Sequence, residues 1–380
     1  MIYADHAATS PMTPAALQAY LRGTERLWAN PSSLYGPARQ AKAALEGARG
    51  ELARCLGASP REILFTSGGS EADNQALRTG AYLGAKAGKR HLLSTKIEHP
   101  AVLRTLEALE QEGFDVTLLD PDGLGRVDPA AVEAALRPDT ALVSVMLANN
   151  EVGTLEPLAE IGKLCRSRGV LLHTDAVQAV GQIPVDAPAL GADLLSLSAH
   201  KFGGPKGIGA LYCRRGLQAL PLIRGGGQER GKRAGTEDLP GILAMAAALT
   251  EAVSRMAENR DRLQNLRDRL IRGLLALPGV RLNGDPVNRL PGNVHVSFRD
   301  IEGETLLLLL DEAGICASAG SACSSGSLEP SHVLRAMGVP SDYLGGSLRL
   351  TLGPENTETE IDTILSEVQK ALTRLSVSRT

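Results

Sequence analysis

Lys201 is the side chain from which a chemical reading of this sequence starts. The stretch Ser196-Leu-Ser-Ala-His-Lys-Phe-Gly-Gly-Pro-Lys-Gly207 breaks an apolar run off into Ser198, His200 and Lys201 ahead of a glycine-rich turn. A lysine desolvated at the mouth of a strand gives up its proton more readily and can form an imine with a carbonyl compound. A second signal is Ser67-Gly-Gly-Ser-Glu-Ala-Asp-Asn74, where the short apolar run Ile63-Leu-Phe-Thr66 meets glycines, a hydroxyl and a helix start. Free N–H groups and the helix dipole make such a turn, with Gly69 and Ser70 in it, a site for an anion. The third is Cys323, inside Ala317-Ser-Ala-Gly-Ser-Ala-Cys-Ser-Ser-Gly-Ser327, small residues without apolar periodicity that read as a mobile loop. Each has a plainer alternative. Lys201 and Lys206 would be solvated turn lysines, and Ser70 an ordinary helix N-cap.

The elements that must position these groups follow from periodicity. Apolar runs at 91–94, 115–119, 141–146, 170–173, 193–197 and 209–213 alternate with helical patterns at 100–112, 129–136 and 158–168. Continuous apolar strands separated by helices predict an α/β fold with a mainly parallel sheet covered on both faces. Polar residues just past such strand ends line a ligand crevice. Those residues are Glu98-His99, Ala148-Asn-Asn-Glu-Val-Gly153, His173-Thr-Asp-Ala-Val-Gln178 and Ser198-Ala-His-Lys201. A long helical pattern from 240 to 277, charged along one side, reads as a bridge to a second unit. Beyond it the rhythm changes to strands near 294–298 and 347–352 and helices near 304–312, 331–337 and 357–373. The expected division is a large domain of residues 16–260 and a smaller α+β domain of residues 1–15 and 261–380.

A crevice holding His99, Asn150, Asp175, Gln178, His200 and Lys201 beside an anion-binding turn suits one ligand that uses them together. Pyridoxal 5'-phosphate has an aldehyde for Lys201, a ring nitrogen for Asp175, a phenolic oxygen for Gln178 and a phosphate for the turn at Ser67 to Ser70. Taken singly, Asp175 reads as a helix cap, Asn150 as a turn residue, and His99 or His173 as a core-edge histidine. No P-loop and no strand-linked dinucleotide fingerprint is present, and no two histidines have the spacing of a helical metal site, so no metal is expected.

Composition narrows the function classes. The 380 residues, 43% hydrophobic and 22% charged with a formal net charge of -3, support a substantial core and give no general attraction for nucleic acid or an anionic membrane. The basic loop from Leu222 to Glu237 is short and lacks aromatic residues to stack on bases. The start, Met1-Ile-Tyr-Ala-Asp-His, has no basic region followed by an apolar one, and the run Leu306 to Leu310 is far too short to span a bilayer, so a cytoplasmic protein is expected. Five cysteines without a C-x-x-C pair read as reduced thiols. Cys316, seven residues before Cys323, reads as a packed strand-end thiol rather than a resolving cysteine.

In order along the chain, Tyr3-Ala-Asp-His-Ala-Ala-Thr9, Ser67 to Asn74, Glu98-His99, Asn149-Asn-Glu-Val-Gly153, His173 to Gln178, Ser198-Ala-His-Lys201, Arg233-Ala-Gly-Thr236, Ser318 to Ser324 and Arg349-Leu-Thr-Leu-Gly353 resemble the cysteine desulfurases of the NifS/IscS type over nearly the whole chain. The resemblance implies a pyridoxal-phosphate enzyme of fold type I, a homodimer that takes sulfur from L-cysteine, releases L-alanine and keeps a persulfide. It implies Lys201 as the Schiff-base lysine, Asp175 and Gln178 as ring partners, and His99 as the residue stacked on the ring that assists proton transfer. It implies a phosphate held by Gly69, Ser70, Ser198 and His200 together with Thr236 of the other subunit. Asn150 and Arg349 are implied as substrate ligands, with Asn30 near the site, and Cys323 as the nucleophile. A sulfur-acceptor or scaffold protein, in iron-sulfur assembly or in thiolation of tRNA or a cofactor, is the implied partner. Family members often have threonine where Ser70 stands and serine where Ala317 or Ala319 stands. Two alternatives remain at this point: a lyase or aminotransferase of the same fold that does not use Cys323, and a cofactor-free carrier module.

Overall fold

The structure is a computed structural model that describes residues 1–320 and 330–377. Among the described residues, twelve strands run in chain order: β1 Ile2–Tyr3, β2 Ile63–Thr66, β3 His91–Thr95, β4 Asp115–Leu119, β5 Thr140–Ser144, β6 Leu171–Asp175, β7 Leu194–Ser198, β8 Gly209–Cys213, β9 Val280–Leu282, β10 Asn293–Phe298, β11 Ile315–Cys316 and β12 Ser347–Thr351. Seven of them form one sheet in the order β2-β8-β7-β6-β5-β3-β4. The pairs from β4 through β7 are parallel, and β8 alone runs against its neighbours β7 and β2. Every residue of β5 and β7 is buried, as a strand covered on both faces requires.

The chain leaves β3 toward the β4 edge and then returns to place β5 on the other side of β3. A crevice opens outside the carboxyl ends of the strands where the order reverses in this way. The segments after β3, β5, β6 and β7 therefore converge there.

Two helices show why the sequence folds locally as it does. Thr13 caps the helix Pro14–Arg26 by accepting from the Ala16 N–H at 3.2 Å, and Pro14 stands where a missing N–H costs nothing. The helix Gly36–Cys55 buries Ala38, Ala41, Leu45, Ala48 and Leu52 at three- and four-residue spacing, each leucine contributing about 2 kcal/mol.

The second core lies over the antiparallel sheet β12-β10-β9. Leu263, Leu266, Leu270 and Leu274 from the helix Met256–Leu275, and Ile361, Ile364 and Val368 from the helix Glu358–Val377, fill it with Val294, Val296 and Leu348. The stretch from Val333 to Val339 packs instead into the core of the large sheet. The single helix expected over 240–277 is two, Leu239–Ser254 and Met256–Leu275, parted at Arg255. The first is apolar and buries Ile242, Met245 and Leu249 in the large core, whereas the second serves the other core, so one straight axis cannot satisfy both.

The segment at 1–10 stitches these parts together. β1 pairs with β11, Ala7 N–H donates to Thr351 Oγ1 at 2.9 Å, and Ser10 N–H donates to the His200 carbonyl at 2.8 Å. No described helix is long and apolar enough to cross a membrane.

Candidate active site

A pocket of about 330 Å³ opens at the switch point, lined by Ala7, Gly69, Ser70, Asp73, His99 and Asn150 together with Asp175, Gln178, Ser198, His200, Lys201 and Arg349. Ten of the residues expected from sequence thus meet around one space. Asn30 and Thr236 do not: both are exposed and neither lines the pocket of this single chain. Asn30 is engaged in its own turn, its Oδ1 accepting from Ser32 N–H at 2.9 Å. Cys323 lies outside the described residues.

One end of the pocket is built for an anion. Gly68, at φ 151°, holds a conformation that side-chain-bearing residues rarely adopt, and the helix Gly69–Lys86 begins directly after it. A Cβ on Gly69 would stand 2.7 Å from Val177 Cγ2, so glycine is needed for the helix start to approach β6. Ser70 is the second helical residue rather than the cap, which leaves its hydroxyl beside first-turn N–H groups that have no intrahelical partner. His200 faces this end; burial above all, helped by the charges of Lys201 and Lys206, pushes its imidazole down to about 4, so it is a neutral hydrogen-bonding ring at neutral pH.

The opposite end carries carboxylates. Asp175, the last residue of β6, is buried, and its Oδ1 accepts from Val177 N–H at 2.9 Å. Burial first, and the Asp73 charge second, push its carboxyl up to about 6. One ligand atom from each of Asp73, His99 and Asp175 lie within 4.8 Å of one another. His99 caps the helix Pro100–Gln111, its Nδ1 accepting from Ala101 N–H at 3.1 Å, which leaves the ring proton on Nε2.

Between these ends stand the two cations. Lys201 ends the short helix after β7, and its Nζ donates to the carbonyls of Ala7 at 2.5 Å and Ala8 at 2.8 Å. Gln178 Nε2 donates to the same Ala7 carbonyl at 3.0 Å. Arg349 enters from β12, with Nη2 on Asp5 Oδ1 at 2.9 Å and Nη1 on the Asn150 carbonyl at 2.9 Å. Its Nε is buried without a partner among the described residues. The arrangement can seat an anion, a cationic ring and a second carboxylate around an amine nucleophile.

Sequence reasoning missed the carbonyls of Ala7 and Ala8, and also Asp5 and Asp73 as members of the site. The Asp5-to-Pro11 stretch read as a polar lip, and Asp73 follows Ser70 by one helical turn, which were the available signals.

Known proteins resemble this chain over nearly its whole length. The model of the class-V aminotransferase family matches residues 2–364. A cysteine desulfurase IscS of Clostridium botulinum is 50% identical over 374 residues, covering 98% of this chain and 94% of that protein. A cysteine desulfurase IscS of Methanosarcina thermophila is 48% identical over 374 residues, with 98% and 92% covered. Among solved structures, a NifS-like protein superposes with a TM-score of 0.93 at 39% identity over 98% of this chain and 100% of its own. The chain therefore belongs to the class-V aminotransferase family, in its branch of pyridoxal-phosphate-dependent cysteine desulfurases.

Proposed function

We propose that this protein binds pyridoxal 5'-phosphate in the pocket at Lys201 and uses it to take sulfur from L-cysteine, leaving L-alanine and a persulfide on Cys323. The observation that carries the reading is the convergence of Lys201, Asp175, Gln178 and His99 with the helix start at Gly69 on a single pocket whose far wall is Arg349. The donor set fits the cofactor: an anion cradle that a Cβ at Gly69 would disturb, a buried carboxylate for a ring nitrogen, an amide for a phenolic oxygen and an amine for an aldehyde. When bound, the cofactor supplies an electron sink for the carbon that loses its proton.

The rest is the work of this chain. Ser70, Ser198, His200 and the first-turn N–H groups hold the phosphate, with Thr236 reaching in from a second copy in a homodimer. His99 would stand beside the ring, with its Nδ1 engaged by the Ala101 N–H and Nε2 left to hold a proton. Lys201 Nζ, released from its role as anchor, carries the substrate Cα proton. Arg349 grips the substrate carboxylate with its planar fork, and Asn150 fixes its orientation. Asn30 is placed beside the site by the same homodimer.

The Cys323 thiolate attacks the substrate sulfur; the S–S bond forms as the C–S bond breaks, and its electron pair stays with the carbon fragment that leaves as alanine. An acceptor or scaffold protein then takes the sulfur, in the cytoplasm. Residues 16–260 and residues 1–15 with 261–380 act as the two units that meet at the pocket.

Single-turnover reaction of the reduced holoenzyme with L-cysteine tests this, following alanine while alkylation and mass spectrometry locate the added sulfur. Alanine with one sulfur on Cys323, lost in Cys323→Ser and kept in Cys316→Ser, is expected. Undiminished turnover in Cys323→Ser would instead make the chain a lyase or aminotransferase that dispenses with that thiol.

A further inference from the structure

The loop after β5, which brings Asn150 to the pocket, is held carbonyl by carbonyl. Four consecutive backbone oxygens, from Asn150 to Gly153, each accept a hydrogen bond from the segment at 289–293 or from Arg349 of β12. Arg349 Nη1 donates to the Asn150 carbonyl at 2.9 Å, Asn293 Nδ2 to that of Glu151 at 3.0 Å, Arg289 Nη2 to that of Val152 at 2.7 Å, and Leu290 N–H to that of Gly153 at 2.9 Å. The amides of the loop are satisfied from within, Asn149 Oδ1 accepting from the Glu151 and Val152 N–H groups at 2.9 Å each. Gly153, at φ 80°, permits the approach, because a Cβ there would stand 2.5 Å from Asn293 Cγ.

Asn293 joins two of these contacts. It is 2% exposed, and its Oδ1 accepts from Arg289 Nη2 at 3.0 Å while its Nδ2 donates to the Glu151 carbonyl. A side-chain amide alone offers a guanidinium an acceptor and a carbonyl a donor from two neighbouring atoms. Glu151 and Val152 are themselves 2% and 0% exposed, so a carbonyl that lost its donor there would be a buried acceptor without a partner, and the loop would move to find one.

We propose that Asn293 is a positioning residue for the amino-acid substrate, fixing the loop so that the Asn150 side chain meets a substrate whose carboxylate lies on Arg349. The inference rests on the reading of Asn150 and Arg349 as substrate ligands. Asn293 lies outside the pocket lining and acts only through the loop. Arg349 takes part in both tasks: the guanidinium that is to receive the carboxylate also holds the Asn150 carbonyl, so loop and substrate share one reference point.

The test is a double-mutant cycle on the holoenzyme, with L-alanine, the proposed product, titrated against the cofactor absorbance. Asn293→Asp keeps the size of the side chain and an acceptor for Arg289, but turns an oxygen toward the Glu151 carbonyl. Asn293→Ser, shorter and uncharged, is the second variant. Each should weaken L-alanine binding about tenfold, the effect of one hydrogen bond lost at a buried group. In an Asn150→Ala background the same substitutions should change the affinity by less than about twofold, because the side chain they displace is no longer there. A merely structural role would lower the affinity by the same factor in both backgrounds. That result, or wild-type affinity in both Asn293 variants, overturns the positioning role. Affinity is read only on molecules that carry the cofactor, so partial misfolding of a variant cancels. An Asn150→Ala protein that binds L-alanine as the wild type does overturns the substrate role of Asn150 and this inference with it, while alanine release from L-cysteine would still uphold the desulfurase reading. A wild type that takes up no pyridoxal phosphate overturns the cofactor reading itself, and this inference with it.

Discussion

Replacing Asp5 by asparagine removes the one carboxylate within ion-pair distance of the Arg349 guanidinium among the described residues, a group 2% exposed. At about 4 Å and an effective dielectric constant of about 20, that pair is worth at most ~4 kcal/mol. The Asp5 side chain is partly solvated, and the asparagine carbonyl still accepts from Nη2, so the expected net loss is about 2 kcal/mol. With an unfolding entropy of about 2.1 cal/mol/K per residue, 380 residues give about 0.8 kcal/mol/K, and the melting midpoint should fall by about 2–3 °C. A ligand carboxylate on Arg349 would supply the missing charge. L-alanine, the proposed product, should therefore raise the Tm of Asp5→Asn more than that of the wild type and narrow the gap between them at saturation. Differential scanning calorimetry of both holoenzymes, with and without L-alanine, reads this directly. Equal midpoints without ligand, or equal alanine shifts in the two proteins, would refute Asp5 as the charge that Arg349 exchanges for substrate.

Glu229→Gln should cost about 3 kcal/mol in urea unfolding, because it takes the bidentate carboxylate at 2.7 Å from Arg49, 2% exposed, and leaves that buried cation with only Glu46, on the exposed side, at 3.2 Å. Glu156 supplies a pH prediction. Burial raises its carboxyl from 4.5 to about 8, so above pH 4.5 the folded chain holds a proton that the unfolded chain has lost, and stability drains as pH rises toward 8. Glu156→Gln carries no such penalty and should gain on the wild type by about 1.4 kcal/mol per pH unit between pH 5 and 8, measured as the difference in unfolding free energy. An unchanged difference across that range would count against a buried, protonated Glu156. Gly69→Ala should push Val177 aside and weaken cofactor retention by roughly tenfold, the effect of one distorted hydrogen bond to a charged group, with little change in Tm; dialysis followed by absorbance measures it.

The crevice could be read from sequence because each of its polar pairs follows an apolar run directly. Asp175 ends β6 and Ser198 ends β7, and strand continuity alone puts their side chains at the carboxyl edge of the sheet. The anion turn was legible as two glycines and a hydroxyl set between an apolar run and a helix start, and the structure adds that Gly68 there stands at φ 151°. Other parts had no local signature. The carbonyls that receive Lys201 and Gln178 belong to Ala7 and Ala8, and a backbone oxygen looks the same at every alanine. Asp73 sits inside a recognised motif, yet its closeness to Asp175 depends on helix and strand meeting across the crevice. The break at Arg255 has no proline or glycine to announce it; two cores pulling on one continuous helical pattern produce it. Thr236 and Asn30 lie on exposed turns that a single chain does not bring to the pocket.

The stitching of residues 1–10 to the far end of the chain bears on the order in which the molecule can assemble. Ala7 is joined to a threonine 344 positions later, and the carbonyls of Ala7 and Ala8 receive Lys201. During synthesis the large sheet can close around its own strands well before Ser347–Thr351 exists. The segment at 2–8 must wait, unpaired, until β11 and β12 have been made. Closing so long a loop costs entropy that only the finished second core can offset. The lysine cradle should therefore be among the last features to form, and a nascent chain should be unable to capture the proposed cofactor at Lys201 until almost all of it has left the ribosome.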